Sequence, residues 1–185
     1  AKKIGDLLMN HFKSNSRLNL EEKKGLIKDL INETAIPPSV TQGGKGTCAA
    51  CAVQMRLAIQ QPLKYTQMAL DLIEGKNTTS VGNTTIKPND TWRNPPRIVD
   101  EKTGRKASDD RSLSSKALQN AFMNEALTFS NYKSNNDYNN SEPGLSIGQQ
   151  EKLLTKVFGK QSFDADYWST GESKFSYLED EISRG

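Results

Sequence analysis

The chain has 185 residues, enough for one domain with a real core, with a formal net charge of +3 and 34% hydrophobic residues. That charge comes without a basic run interleaved with aromatics, so the pattern speaks against nucleic-acid binding. No apolar stretch approaches the length of a membrane span and no signal peptide is visible, although a processed start at Ala1 stays open.

The first third reads as helix. Ile4, Leu7, Leu8 and Phe12 recur at helical spacing over Lys3 to Phe12. Asn19 suits an N-cap, with Glu21 and Glu22 in the first turn, and Leu26, Ile27, Leu30 and Ile31 give a buried stripe. Lys2-Lys3 and Lys23-Lys24 fit solvated helix faces. Pro37-Pro38 stops this helix and predicts an extended approach to the next segment.

A glycine-rich bend from Thr41 to Thr47 leads into a run from Cys48 to Gln60 that is small or apolar nearly all round, and so predicts a buried helix. Pro62 opens another helix, which carries Tyr65, Met68, Ala69, Leu72 and Ile73 and ends near Gly75. Thr78 to Val81 and Thr84 to Lys87 flank Gly82-Asn83, the pattern of a two-residue hairpin turn. Pro88 to Lys106 reads as a polar surface loop. Ser108 is the expected cap of a long helix with Asp109 and Asp110 in its first turn and an inner face from Leu113 to Phe129. Asn131 to Glu142 is Asn-rich and expected to be mobile. Ser146 and Gln149 form a capping-box pattern before a helix with Leu153, Leu154, Val157 and Phe158 inside. The expected division is a helical segment over residues 1–38 and a lobe over 39–185, or one continuous domain over 1–185.

Chemistry concentrates at Gln42-Gly43-Gly44-Lys45-Gly46-Thr47-Cys48. A helix N-terminus favours a thiolate, because its amides lack intrahelical partners and the macrodipole is positive there. Cys48 stands at that position, and the glycines allow a tight bend that leaves the sulfur accessible. Gln42 can donate its side-chain amide to a developing oxyanion beside the Cys48 N–H.

Gln42-Gly43 followed by Gly46-Thr47-Cys48 resembles the papain-like cysteine peptidase signature, in which a glutamine six residues before the cysteine completes the oxyanion hole. The run Ala117-Leu118-Gln119-Asn120-Ala121-Phe122-Met123, then Tyr138 and Pro143-Gly144-Leu145, is similar to the calpain-type layout. The resemblance implies a mainly α cysteine-bearing lobe, with a small β-hairpin, of an α+β papain-like fold. It also implies thiol-dependent peptide-bond hydrolysis with Cys48 as nucleophile and Gln42 as oxyanion donor, no cofactor or metal, and a peptide or protein substrate. Ala49 replaces the aromatic residue usual after the cysteine, which points to a distant branch.

Such peptidases carry a His and an Asn or Asp downstream of the cysteine. The one histidine here, His11, lies upstream in a helix and reads as a structural residue. The base is therefore expected from a second lobe or chain outside these residues. Two readings compete with peptidase activity. One is a catalytically silent papain-like interaction module. The other is disulfide exchange through Cys48-Ala49-Ala50-Cys51, which however lacks the preceding core strand of thioredoxin-like proteins. A Walker-type phosphate loop lacks its spacing, and two Cys with one distant His do not make a zinc site. Cys51 alone reads as a buried small residue; Trp92, Tyr167 and Trp168 read as packing or cleft-lining residues.

Overall fold

A computed structural model describes residues 2–43, 46–87, 92, 110–127 and 144–159. Among them are six α-helices and one two-stranded antiparallel sheet, so the described structure is mainly helical. None of these helices is long and apolar enough to cross a membrane.

Helix α1 (Lys2–Lys13) packs on α4 (Pro62–Ile73) and α2 (Leu20–Ala35). Only Leu8 of its stripe is fully buried, with Ile4 and Leu7 packed partly against the core. Its C-terminal end is closed by Lys23, whose Nζ donates to the Phe12 and Ser14 carbonyls at 3.1 and 2.7 Å. Lys23 is thus half-buried rather than solvated, since orphan carbonyls at a helix end attract a cation. Asn19 caps α2 in a full capping box with Glu22. Along α2, Leu26 and Leu30 are buried but Ile31 is 52% exposed, so the inner stripe narrows and continues through Glu33 instead. After Ala35, Pro37–Ser39 forms a 3₁₀ turn rather than a fully extended approach, with the Val40 N–H donating to the Pro37 carbonyl.

Helix α3 (Cys48–Gln60) has the expected bounds but not the expected all-round burial, because Ile59 is 64% exposed and Met55 is half-buried. Its inner face is Ala50, Val53, Gln54, Leu57 and Ala58, a helical repeat that includes a polar side chain. Helices α3, α4 and α5 (Leu113–Ala126) pack mutually, and α5 also touches α2, α6 (Ile147–Phe158) and the sheet. Ala50, Ala58, Ala69, Ala117 and Ala121 let these backbones approach, while Phe122, Met68 and Leu72 fill the space between. One apolar cluster joins Leu8, Leu26 and Leu30 to residues of α3 through α6 and to Trp92.

The hairpin pairs β1 (Thr78–Thr79) with β2 (Thr85–Ile86), Thr78 opposite Ile86. Its turn has three residues rather than two: the Ser80 N–H donates to the Thr84 carbonyl, the Asn83 N–H donates to the Ser80 carbonyl, and Asn83 takes a left-handed φ of 59°. Asn tolerates that conformation, which frees Gly82 for a different duty. A Cβ on Gly82 would lie 2.5 Å from the Gly159 amide nitrogen, so the hairpin tip seats directly on the C-terminus of α6.

Helix α5 starts four residues later than its sequence suggests. Ser112, not Ser108, is the N-cap and accepts from the Ser115 N–H, so Asp110 precedes the helix instead of lying in its first turn. Ser146 and Gln149 cap α6 as expected, and Leu153 and Val157 are buried with Leu154 and Phe158 packed beside them. The expectations for Ser108, Asp109, Phe129, residues 131–142, Tyr138, Pro143, Tyr167 and Trp168 lie outside the described residues, as do Gly44 and Lys45.

Candidate functional site

Cys48 is the first residue of α3 and is exposed, at the start of a helix whose next two residues, Ala49 and Ala50, are buried. Thr47 is the N-cap residue, and its carbonyl accepts the Cys51 N–H at 2.8 Å. Its side chain makes no cap hydrogen bond. The hydroxyl turns inward instead and donates to Gln119 Oε1 at 2.7 Å. Thr47 therefore leaves the first-turn amides, including that of Cys48, to other acceptors.

The loop before Cys48 is held at both ends by that same glutamine. Gln119 Nε2 donates to the Thr41 carbonyl at 2.9 Å while Oε1 receives the Thr47 hydroxyl. Inside this span the Gly43 N–H donates to Thr41 Oγ1 at 3.1 Å, and Gly43 takes a φ of 58°, a conformation natural to glycine. Gln42, half-buried, sits between the pinned Thr41 and this turn. Gly144, just before α6, approaches the loop closely: a Cβ there would lie 3.5 Å from the Gly46 carbonyl and 3.8 Å from Cys48 Sγ. Gly144 is thus beside the thiol.

Behind the loop lies a buried polar network that the sequence pattern did not announce. Glu33, 3% exposed, accepts hydroxyls from Tyr65 at 2.7 Å, Ser112 at 2.5 Å, Ser114 at 2.6 Å and Ser115 at 3.0 Å. Gln54 Nε2 donates to the Tyr65 and Ser115 hydroxyl oxygens at 2.8 and 3.0 Å, and Gln54 Oε1 receives Gln119 Nε2 at 2.9 Å. Arg111 donates to Gln119 Oε1 at 3.3 Å. Burial, followed by the Glu33 charge and hydrogen bond, pushes the Tyr65 hydroxyl well above its usual range, so it stays a donor. A signal was available: Glu33 follows Leu26 and Leu30 on one helical stripe, and Gln54 sits on the inner face of an apolar helix.

Cys51 is buried and its thiol faces the Val40 carbonyl at 3.9 Å. Burial, then the neighbouring Cys48, push this thiol up, with Arg111 opposing and Glu33 adding. His11 does not join Cys48. It lies near the end of α1, its side chain 8% exposed, with Nε2 3.6 Å from Glu74 Oε1. Glu74 also accepts from Ser16 Oγ and from the Arg17 N–H. Trp92 is a packing residue of the core cluster. Among the described residues no three His, Cys, Asp or Glu side chains gather as a metal-holding group. Comparison with known protein families, with curated proteins and with solved structures gives no match.

Proposed function

We propose that the chain is the cysteine-bearing lobe of a papain-like cysteine peptidase and performs thiol-dependent acyl transfer. The observation that carries this reading is an exposed Cys48 at the first position of α3, preceded by a loop that one buried glutamine holds at both ends. A nucleophile needs access and a fixed approach, and both are present. The Cys48 sulfur attacks the substrate carbonyl. The Cys48 N–H and the Gln42 side-chain amide stabilise the oxyanion, and collapse of the tetrahedral species expels the amine and leaves a thioester that water hydrolyses. The general base is an imidazole from outside these 185 residues, because His11 lies on α1, which packs on α2 and α4 and not on α3.

The test is labelling of the protein expressed from its whole gene with a peptidyl vinyl sulfone. Cys48 is expected to react at least about a hundredfold faster than glutathione. Cys48→Ala should abolish the label and Cys51→Ala should keep it. Reaction at the rate of a free thiol overturns the reading and leaves the silent interaction module. Formation of a Cys48–Cys51 disulfide at a mild glutathione potential, without labelling, would favour the exchanger instead.

A further inference from the structure

We infer that Gln119 is the positioning residue of the Cys48 loop, and that its orientation, set by Arg111 and the Thr41 carbonyl, is matched through Gln54 to Glu33. The role in loop geometry stands on the hydrogen bonds alone; its consequence for chemistry rests on the acyl-transfer reading above.

The directions of the hydrogen bonds fix the order. A guanidinium only donates and a backbone carbonyl only accepts. Arg111 therefore fixes Gln119 Oε1 on its own side and the Thr41 carbonyl fixes Nε2 on the other. With Oε1 so placed, the Thr47 hydroxyl must donate to it. The second Nε2 hydrogen then goes to Gln54 Oε1, which turns the Gln54 amide nitrogen toward Tyr65 and Ser115. Both of those hydroxyls must consequently point their own protons elsewhere, and both point them at the Glu33 carboxylate, an acceptor only. One donor–acceptor order thus runs without conflict from Glu33 on α2, through α4, α3 and α5, to the two ends of the loop before Cys48. Gln54, Tyr65, Ser115, Gln119 and Thr47 are all fully buried, so water does not offer these groups a competing partner.

Two consequences separate this role from packing. Removing the Thr47 hydroxyl should loosen the loop without opening the core, since Thr47→Val keeps the shape and the carbonyl that accepts from Cys51. Changing Glu33 to Gln, two side chains away from Gln119 in this order, should be felt at the loop: a new N–H₂ faces hydroxyls that already donate, Tyr65 or Ser115 must reverse, and Gln54 then meets the anchored Gln119 amide with a mismatched partner.

The experiment measures backbone hydrogen exchange over residues 41–48, together with alkylation of Cys48 by iodoacetamide and by the peptidyl vinyl sulfone, in the protein from its whole gene. Thr47→Val, Gln119→Leu and Glu33→Gln should each raise exchange in the loop by about tenfold while the middle of α3 stays protected. Each should slow the peptidyl reagent by about tenfold and leave iodoacetamide within about twofold, because a small electrophile does not need the fixed approach. Thr47→Ser restores both. Combining Glu33→Gln with Gln119→Leu should add nothing to Gln119→Leu alone, since both act through one side chain. Unchanged loop exchange in Thr47→Val overturns the inference, and that variant decides the matter where Gln119→Leu does not fold. Variants that raise loop exchange as described, in a protein whose wild type takes no peptidyl label, support the positioning role and overturn the acyl-transfer reading alone.

Discussion

Glu33 shows how much one residue can hold. Its carboxylate sits at the N-terminus of α5, where Ser112 is the cap and Ser114 and Ser115 lie in the first turn. Helix polarity and four hydroxyl donors offset the cost of burying the charge. Truncation should leave those hydroxyls without their acceptor, so Glu33→Ala is expected to destabilise by about 4 kcal/mol, measured as a shift in the denaturant midpoint at constant slope. Ser112→Ala removes one donor and the cap together and should cost about 1–2 kcal/mol. Neither effect was visible in composition, because a glutamate in a polar-looking helix is ordinarily a surface residue; its partners come from α4 and α5, far away along the chain.

His11 gives a second residue-scale expectation. Burial holds its imidazole below the usual range, Lys23 and Lys76 add to this, and the Glu74 charge opposes it. The unfolded chain therefore takes up the proton more readily than the folded one. Stability is complete above about pH 6.5 and falls as the pH drops through that value toward the lower folded one. Glu74 sets a second, lower window. Burial would raise it, but hydrogen bonds from Ser16 and the Arg17 amide, with His11 and Lys76, hold it below the usual carboxylate range. Its contribution is present above about pH 4.3 and is lost as the pH falls further, through the folded value. Melting temperature against pH should show the upper step in the wild type and not in His11→Gln, while the lower step persists.

At the scale of elements, local signals were legible where one helix settles its own ends. The Asn19 and Ser146 capping boxes, the Pro62 start and the bounds of α3 all follow from residues within a turn of the feature. The start of α5 differs from expectation because a local rule admits either Ser108 or Ser112, whereas the bond from Ser112 to Glu33 ties the second into the core. The hairpin departs from its expected two-residue turn for a related reason. Gly82-Asn83 carries the dipeptide content of a two-residue turn, yet Asn83 takes the left-handed position and Gly82 is required by contact with α6. Gly82→Ala should then clash with backbone atoms of Gly159 and Lys156 rather than with a movable side chain. A loss of about 2 kcal/mol is expected, with the Gly82 amide bond to the Val157 carbonyl exposed to hydrogen exchange. Asn83→Gly, by contrast, should be tolerated within about 0.5 kcal/mol, as φ stays accessible.

Across the whole molecule, the contiguous run Gln42–Cys48 is legible in the sequence as a candidate thiol site, but what holds it is not. The motif residues are contiguous, whereas Gln119, Gln54 and Glu33 come from three different helices and meet only once α2, α3 and α5 have packed. The same packing separates the chain's single histidine from its exposed cysteine, since α1 packs on α2 and α4 and makes no contact with α3. On the acyl-transfer reading proposed above, a nucleophile and an oxyanion donor without a base should give weak turnover. These 185 residues alone are expected to hydrolyse a peptidyl amide about 10²–10⁴-fold more slowly than the same lobe supplied with its histidine. An activated peptidyl ester bypasses protonation of the leaving group, so its hydrolysis should be faster and should rise with added imidazole, which substitutes for the missing base. That rise must vanish in Cys48→Ala and persist in His11→Gln. The rise is read above the rate of imidazole with ester alone; a rise above that rate that is undiminished in Cys48→Ala would mean the cysteine has no part in it.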